Sequence, residues 1–259
     1  MTGTELPRNA FKAALLAGTP QIGLWCSIGD SGVAEMLAGC GFDWLMFDTE
    51  HSPTDENTVL PLLQAVAPYP VSPVVRPSSL NPPEIKKLLD AGAQTILVPY
   101  VQTAAEARLA AAAVAYAPDG IRGVSGISRA TRFGRIKDYA RRARDEICLI
   151  VQIETQGAVD AIEEIAAVPG VDALFVGPAD LAASLGYPGE SGRAEVRSAV
   201  AAAIRRIRAA GKPAGFLAVD DSYLEEAVAA GSLFTAVDID IAILRRTAEA
   251  RAAAWKARL

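Results

Sequence analysis

The sequence is poor in the residues that define several common classes of protein. It has three cysteines, one histidine and 6% aromatic residues in 259 positions. Cys26, Cys40 and Cys148 lie far apart among apolar neighbours, which excludes a disulfide framework and a cysteine-rich zinc site. The chain also lacks an apolar run of about eighteen residues, and Met1 to Lys12 lacks the order of a signal peptide. These absences predict a soluble cytoplasmic protein.

Charge of one sign is not concentrated anywhere. The net charge is -5, with lysine, arginine, aspartate and glutamate interspersed along the chain. This pattern argues against a nucleic-acid surface and against a polybasic membrane contact, so the expected partner is a small molecule. A 51% hydrophobic content is enough for a large core, and the length suits one α/β barrel domain spanning residues 1–259.

Short β-branched runs alternate with Ala/Leu-rich runs of helical period, which predicts parallel strands joined by helices. Eight such pairs predict a (β/α)8 barrel. The predicted strands are Ile22 to Ser27, Asp43 to Asp48, Val71 to Arg76, Thr95 to Pro99, Cys148 to Glu154, Ala173 to Gly177, Pro213 to Leu217 and Leu233 to Asp238. The predicted helices are Ser31 to Ala38, Asp55 to Val66, Pro82 to Ala91, Ala104 to Tyr116, Gln156 to Ala167, Arg193 to Ala210, Ser222 to Ala230 and Asp240 to Lys256.

The segment from Ala117 to Arg135 shows neither a helical nor a strand period, and it contains four glycines and four arginines. It is too long for an ordinary connection. One interpretation is a functional loop over the carboxyl ends of the strands, because the segment follows the fourth strand. The other is a surface excursion whose arginines are solvated.

Ionisable and amide side chains occur where several predicted strands end, and barrel enzymes place their catalytic groups at those ends. Such groups need solvent, a partner or a metal, because burying them alone is costly. They are Asp48, Glu50, His51, Arg76, Gln152, Glu154 and Asp180.

Glu154 and Asp180 are candidate ligands of a divalent cation. Gln152 and Glu154 share one strand face by alternation, so both are expected to point into the barrel mouth. Carboxylates without cysteine or histidine nearby favour a hard cation such as Mg2+ or Mn2+. The alternatives are a first-turn carboxylate for Glu154 and a helix N-cap for Asp180, and a helix start also offers amides to a substrate carboxylate.

His51 and Arg76 are candidate catalytic groups. His51 lies three residues after Asp48, whose carboxylate could fix one imidazole tautomer. Arg76 precedes Pro77, so an extended backbone should deliver its guanidinium to the mouth. The alternatives are a structural histidine and a surface ion pair.

Six motifs together resemble the HpcH/HpaI aldolase family, a family of class II pyruvate-type aldolases, and the resemblance runs from about Gly23 to Asp238. The motifs are Phe47 to His51, Val75 to Pro77, Leu97 to Pro99, Gly120 to Gly123, Gln152 to Thr155 and Gly177 to Leu181.

The resemblance implies roles for particular residues. Glu154 and Asp180 would bind Mg2+, Mn2+ or Co2+, Arg76 would contact the 2-oxo acid, and His51 paired with Asp48 would move protons. Gln152 would support the site, and the backbone of Gly177, Pro178, Ala179 and Asp180 would hold the substrate carboxylate. The resemblance also implies a hexamer of swapped-helix dimers, which places the helix of about residues 240–258 at the subunit interface.

The expected reaction is reversible cleavage of a 4-hydroxy-2-oxo acid to pyruvate, or hydroxypyruvate, and an aldehyde. A cation would offset the charge that develops on the keto oxygen, and Arg76 would add a second positive contact. No lysine ends a strand among these motifs, which argues against a Schiff base, and Lys86, Lys87 and Lys212 are the lysines whose positions have to be checked. The alternatives are a lyase of acyl-CoA thioesters, a decarboxylase of oxo-diacids, and an inactive barrel that senses a metabolite.

Overall fold

The computed structural model describes residues 4–259, in which eight parallel strands close into a barrel in sequence order. The predicted (β/α)8 barrel is therefore confirmed. Each predicted strand lies within about two residues of an observed one. The strands are β1 (Gln21–Cys26), β2 (Trp44–Asp48), β3 (Ser72–Arg76), β4 (Thr95–Val98), β5 (Cys148–Ile153), β6 (Ala173–Val176), β7 (Ala214–Leu217) and β8 (Ser232–Ile239).

The first helix precedes β1 at the base of the barrel, and the other helices surround the barrel between and after the strands. In chain order the helices are α1 (Ala10–Leu16), α2 (Ser31–Ala38), α3 (Glu56–Val66), α4 (Pro82–Asp90), α5 (Ala104–Val114), α6 (Tyr139–Glu146), α7 (Gln156–Asp160), α8 (Ile162–Ala166), α9 (Pro178–Ser184), α10 (Ala194–Ala209), α11 (Asp221–Ala230) and α12 (Asp240–Lys256). Two of them, α1 and α6, lie outside the predicted helices, and α9 is the helix whose start the sequence places near Asp180. The predicted helix Gln156 to Ala167 is split at Ala161. In residues 4–259 no helix has the length and apolar character needed to cross a membrane.

The interior of the barrel is filled by large side chains at its amino-terminal end. Trp44 and Phe234 pack edge to face, and Phe11 of α1 closes the base against both rings. Two glycines make room for them: a Cβ at Gly23 would lie 2.2 Å from the Trp44 ring, and one at Gly215 would lie 2.2 Å from the Phe234 ring. Packing therefore occupies the base of the barrel and leaves the carboxyl ends of the strands for polar groups.

The segment after α5 does not lie over the carboxyl ends of the strands, which corrects the first interpretation of Ala117 to Arg135. Because α5 intervenes between β4 and this segment, the chain has already returned to the amino-terminal side of the barrel. Arg129 donates to the carbonyls of Ala91 and Leu63, which lie at the ends of α4 and α3 that face that side. The Arg122 side chain is buried, and its Nη2 lies 2.8 Å from Oδ1 of Asp90. Neither guanidinium is merely solvated.

The last helix, α12, has little contact with its own barrel. Of its residues only Asp240 is buried, where it accepts hydrogen bonds from the backbone amides of Ser27 and Ile28. Ile241, Leu244 and Trp255 leave about half or more of their surface exposed. An amphipathic helix normally buries one apolar stripe, so α12 presents a surface that the barrel of the same chain does not cover.

Candidate active site

The ends of β2 and β3 hold a buried ion pair. Asp48 and Arg76 occupy paired positions of neighbouring strands. The guanidinium donates from Nε to Oδ1 at 2.8 Å and from Nη2 to Oδ2 at 2.7 Å, which is a bidentate contact. Arg76 is only 5% exposed, so the alternative of a surface ion pair is excluded.

Trp25 of β1 completes the support of this pair. Its indole Nε1 donates to Oδ2 of Asp48 at 3.2 Å, and its ring lies 4.6 Å from the guanidinium carbon of Arg76. Burial raises the pKa of Asp48, but the hydrogen bonds and charge of Arg76, with the amide of Glu50 and the indole of Trp25, lower it further, and the net direction is down. Asp48 is therefore ionised and fixes the orientation of Arg76.

His51 lies at the rim of the mouth, with 66% of its side chain exposed. Its Nε2 is 3.9 Å from Oε2 of Glu50. The expected pairing of His51 with Asp48 is wrong, because the Asp48 carboxylate is engaged by Arg76, Trp25 and the backbone amide of Glu50. The carboxylate that lies beside the histidine is Glu50.

The Glu50 carboxylate lies between His51 at the rim and the buried guanidinium of Arg76. Its Oε2 lies 2.7 Å from Nη1 of Arg76, although the angle does not meet hydrogen-bond geometry. Burial raises the pKa of Glu50 more than the charge of Arg76 lowers it, and the carboxylates of Asp48 and Asp180 raise it further. Glu50 thus lies among charged groups from β2, β3 and α9.

Glu154 follows β5 and is almost fully buried. Its Oε1 accepts the backbone N–H of Tyr100 at 2.7 Å, and its Oε2 accepts from Nε2 of Gln152. The two side chains share one face, as their alternation predicts. Burial raises the pKa of Glu154 to about 7, reinforced by the charges of Glu50 and Asp180 and opposed by the Tyr100 amide and by Arg76.

Asp180 lies in the first turn of α9, the short helix that follows β6, and its side chain is exposed to the mouth. The N-cap residue is Gly177, so Asp180 is not the N-cap. The helix has Pro178 in its first turn and lacks a side-chain cap, which leaves first-turn backbone amides such as that of Ala179 without an intrahelical acceptor.

Gly177 allows β6 to pass close to Glu154. A Cβ at this position would lie 2.6 Å from Oε2 of Glu154 and 2.7 Å from Nε2 of Gln152. The Cβ of Glu154 would itself lie 3.0 Å away, and its Oε1 is held by the Tyr100 amide, so the carboxylate could make room only by straining that hydrogen bond. The glycine is therefore required by the position of the carboxylate.

Replacing Gly177 by alanine is expected to displace the Glu154 carboxylate and to lower kcat/KM by at least about tenfold, since small misplacements of a positioned group are costly. The measurement is steady-state kinetics together with thermal unfolding. Gly157→Ala is the matched control, because a Cβ there meets only Oγ1 of Thr155 at 3.9 Å. Equal kinetics for the two variants would contradict this role of Gly177.

The mouth carries more negative than positive charge. Asp48, Glu50, Glu154 and Asp180 face the single guanidinium of Arg76. Within residues 4–259, Oε1 of Gln152 is buried without a hydrogen-bond donor. Excess carboxylate charge and an unmatched amide oxygen fit a hard divalent cation.

The described residues contain no group of three or more histidine, cysteine, aspartate or glutamate side chains arranged to hold a metal. A cation at Glu154 and Asp180 would therefore take its remaining ligands from water and substrate, as Mg2+ commonly does.

Sequence reasoning missed two groups and gave a third no role. Trp25 lies near the end of β1, but it is neither ionisable nor an amide, so the pattern of ionisable and amide strand ends does not mark it. Tyr100 acts through its backbone N–H and adopts a left-handed φ of 55°, and nothing in the sequence marks it. Glu50 follows a predicted strand end, but this position alone assigns it no function.

A closed parallel barrel with ionisable groups gathered at the carboxyl ends of its strands defines a (β/α)8-barrel enzyme. Residues 21–247 match the model of the HpcH/HpaI aldolase/citrate lyase family, and the chain belongs to that family. It is accordingly an aldolase, a carbon–carbon lyase.

Three relatives illustrate the similarity. The chain is 57% identical to a pyruvate aldolase from Rhizobium etli, over 96% of this chain and 98% of that protein. It is 56% identical to a hydroxypyruvate/pyruvate aldolase from Sagittula stellata, over 97% of this chain and 99% of that protein. A crystal structure of a family member from Burkholderia cenocepacia superposes with a TM-score of 0.91 at 40% identity, covering 97% of this chain and 100% of that one.

Proposed function

We propose that this chain is a metal-dependent class II aldolase that reversibly cleaves 4-hydroxy-2-oxo acids to pyruvate, or hydroxypyruvate, and an aldehyde. The observation that carries the proposal is the set of carboxylates around one buried guanidinium at the barrel mouth. The similarity to a pyruvate aldolase and to a hydroxypyruvate/pyruvate aldolase supports the substrate class.

Glu154 and Asp180 are the proposed ligands of a divalent cation, Mg2+, Mn2+ or Co2+. A bound cation supplies positive charge that offsets the negative charge developing on the keto oxygen of the substrate. The Tyr100 amide and Gln152 hold the Glu154 carboxylate in one orientation, so that it is preorganised before the substrate arrives.

Arg76 is proposed to contact the 2-oxo acid and the enolate that forms from it. Its charge remains fixed while charge develops on the substrate, because Asp48 and Trp25 hold the guanidinium in place. Preorganised donors of this kind typically contribute about 3 to 4 kcal/mol to transition-state stabilisation. Backbone groups of Gly177, Pro178, Ala179 and Asp180 complete the proposed binding site for the substrate carboxylate.

His51 is proposed to accept the hydroxyl proton of the aldol, so that the C3–C4 bond breaks and its electron pair passes to the 2-oxo acid fragment. Return of a proton to that fragment then gives pyruvate. The exposed position of His51 suits exchange of this proton with solvent, and Glu50 is the carboxylate that can orient the imidazole.

Replacing His51 by alanine is expected to reduce kcat for aldol cleavage by at least about a hundredfold, the lower range for a positioned acid–base group. The fold should be unaffected, because the side chain is two-thirds exposed. Kinetics at several pH values, with thermal unfolding as the control, give the measurement. An unchanged kcat would assign His51 a structural or surface role.

The mechanism is tested by chelation and by borohydride trapping. Chelation is expected to abolish turnover and added Mg2+, Mn2+ or Co2+ to restore it, while borohydride with pyruvate should leave the protein mass unchanged. The three lysines considered above are placed elsewhere: Lys87 pairs with Glu56 on the helical layer, Lys212 donates to the Val171 carbonyl at the base of the barrel, and the Lys86 side chain lies against Gly123. Activity after chelation, or a covalent pyruvate adduct, would overturn the proposal.

The assembly and location form part of the same proposal. The exposed apolar surface of α12 supports dimers that exchange this helix, and three such dimers would form the hexamer. The barrel would then be one domain with its last helix at the interface. Light scattering tests the hexamer, and a monomeric mass would reject it. The cysteine usage supports a cytoplasmic location.

A further inference from the structure

A second cavity, of about 750 Å3, lies on the opposite side of the barrel from the candidate active site. Its walls are the segment before α1, the end of α3, the residues that precede β3 and β4, and the loop of residues 126–138. These are amino-terminal ends of strands, whereas Arg76 and Glu154 lie at carboxyl-terminal ends. The volume falls within the range of small-molecule sites.

The charged side chains that line this cavity are all positive. Among the described residues that line it, none is aspartate or glutamate, although the chain has a net charge of -5. Four arginines line it: Arg8, Arg129, Arg132 and Arg135. Three of them come from the arginine-rich segment to which the aldolase chemistry gives no role.

The four arginines of this cavity have no carboxylate partner among the described residues. Arg129 donates to the Ala91 and Leu63 carbonyls, and Arg135 donates to the Arg132 carbonyl. Within the described part of the chain, none of the four lies within 4.0 Å of a carboxylate oxygen. By contrast, Arg144, Arg197 and Arg206 each pair with an acid. Positive charge concentrated in a concave site without acids favours an anionic occupant.

The loop backbone adopts an uncommon conformation where it carries the arginines. Arg132, Phe133 and Gly134 have φ angles of 49°, 57° and 82°, three consecutive left-handed residues. Such a conformation is unfavourable for a bulky side chain and is held here by Thr131, whose Oγ1 donates to the Gly126 or Ser128 carbonyl and accepts the amide of Gly134. The hydrogen bonds of Thr131 therefore hold the arginine-bearing turn in one defined conformation.

Apolar surface accompanies the charge. Leu63, Val66, Tyr69, Phe133 and Tyr139 line the same cavity, and Phe133 is 63% exposed. Aromatic and aliphatic walls with a few convergent polar groups characterise sites for organic ligands, whereas a site for inorganic ions alone does not need them.

We propose that this basal cavity binds a small organic molecule that carries two oxyanion groups, carboxylate or phosphate, on an apolar body. The forked guanidiniums of Arg132 and Arg135 would engage the oxyanions, since arginine matches both groups in bidentate geometry. Arg129 would supply charge from within the cavity while keeping its helix-end contacts. The site is independent of the proposed aldol chemistry.

The test is calorimetric titration of the metal-free full-length protein with two probes, isophthalate and inorganic pyrophosphate. We expect saturable binding of one molecule per chain for at least one of them. The stronger probe identifies whether the site prefers carboxylate or phosphate. Arg132→Gln/Arg135→Gln should weaken that binding by at least about tenfold, a loss in line with removing two charge-assisted contacts.

Two controls separate this site from other causes. Arg205→Gln removes the same charge from the exposed face of α10 and should change the affinity by less than about twofold. Glu154→Gln, at the barrel mouth, should also leave it unchanged. The double arginine variant should keep the circular dichroism and aldolase kcat/KM of the parent.

The proposal is overturned by three results. Absence of saturable binding of either probe would show that the cavity does not take such an anion, including the case in which another copy of the chain covers it. Equal weakening by Arg205→Gln would reduce the effect to general electrostatic attraction. Loss of binding in Glu154→Gln would place the probe in the barrel mouth.

Discussion

Glu154→Gln is expected to reduce kcat by at least about a thousandfold and to abolish tight binding of divalent cations. The amide keeps the size of the side chain and can still accept the Tyr100 N–H. It loses the negative charge that a hard cation requires, and loss of one positioned electrostatic group alone typically costs about a hundred- to a thousandfold. Steady-state kinetics and calorimetric titration with Mn2+ provide the two measurements.

The matched control is Glu164→Gln on the exposed surface of α8, which makes the same chemical change away from the mouth. It should retain parental kinetics and Mn2+ affinity. Thermal unfolding of Glu154→Gln should remain close to the parent, because burial already raises the pKa of this carboxyl to about 7 and a neutral group is tolerated there. Normal turnover in Glu154→Gln would remove Glu154 from the metal site.

The architecture could be predicted from sequence because each barrel strand has a strong local signal. In β2, for example, residues 44–47 are all apolar and buried and lie between aspartates, and hydrophobic patterning locates such runs within about two residues. The helix α6 was missed because its sequence is dominated by charged residues and buries only Ala143. Its existence depends on tertiary contacts more than on local pattern.

The path of the arginine-rich segment could not be predicted, because it depends on contacts far apart in sequence. Arg129 caps the ends of α3 and α4 across 66 and 38 positions. Local composition correctly indicated an irregular segment. It could not indicate which side of the barrel the segment covers, since that follows from these long-range hydrogen bonds.

The sequence predicts the candidate site, like the fold, only in part. Strand ends identified the charged residues, since Asp48, Arg76 and Glu154 all lie where the barrel rule places them. The partner of each charge was less predictable: proximity in sequence suggested that Asp48 orients His51, but the register of β2 and β3 sets Asp48 opposite Arg76. Asp48 therefore pairs with Arg76 and not with His51, because the sheet fixes the geometry of the cross-strand contact.

Arg76→Lys is expected to lower kcat/KM by at least about a hundredfold. Lysine keeps the positive charge but offers a single ammonium in place of the planar fork, so it cannot pair with both oxygens of Asp48 while also reaching Glu50 and the substrate. A contact that stabilises charge developing in the reaction should lower kcat, whereas a contact with the substrate carboxylate alone should mainly raise KM. The division between kcat and KM therefore reports which oxygen Arg76 contacts.

The control is Arg206→Lys. Arg206 pairs with Glu163 on the surface, so this variant should leave kcat and KM unchanged. Within Arg76→Lys, cation binding at Glu154 should survive, because Tyr100 and Gln152 position that carboxylate independently of Arg76. Loss of cation affinity together with activity would show that the guanidinium maintains the architecture of the mouth. Retained cation affinity with a lowered kcat would instead show that the guanidinium acts on the substrate, and a rate equal to that of the parent would refute its proposed part in the reaction.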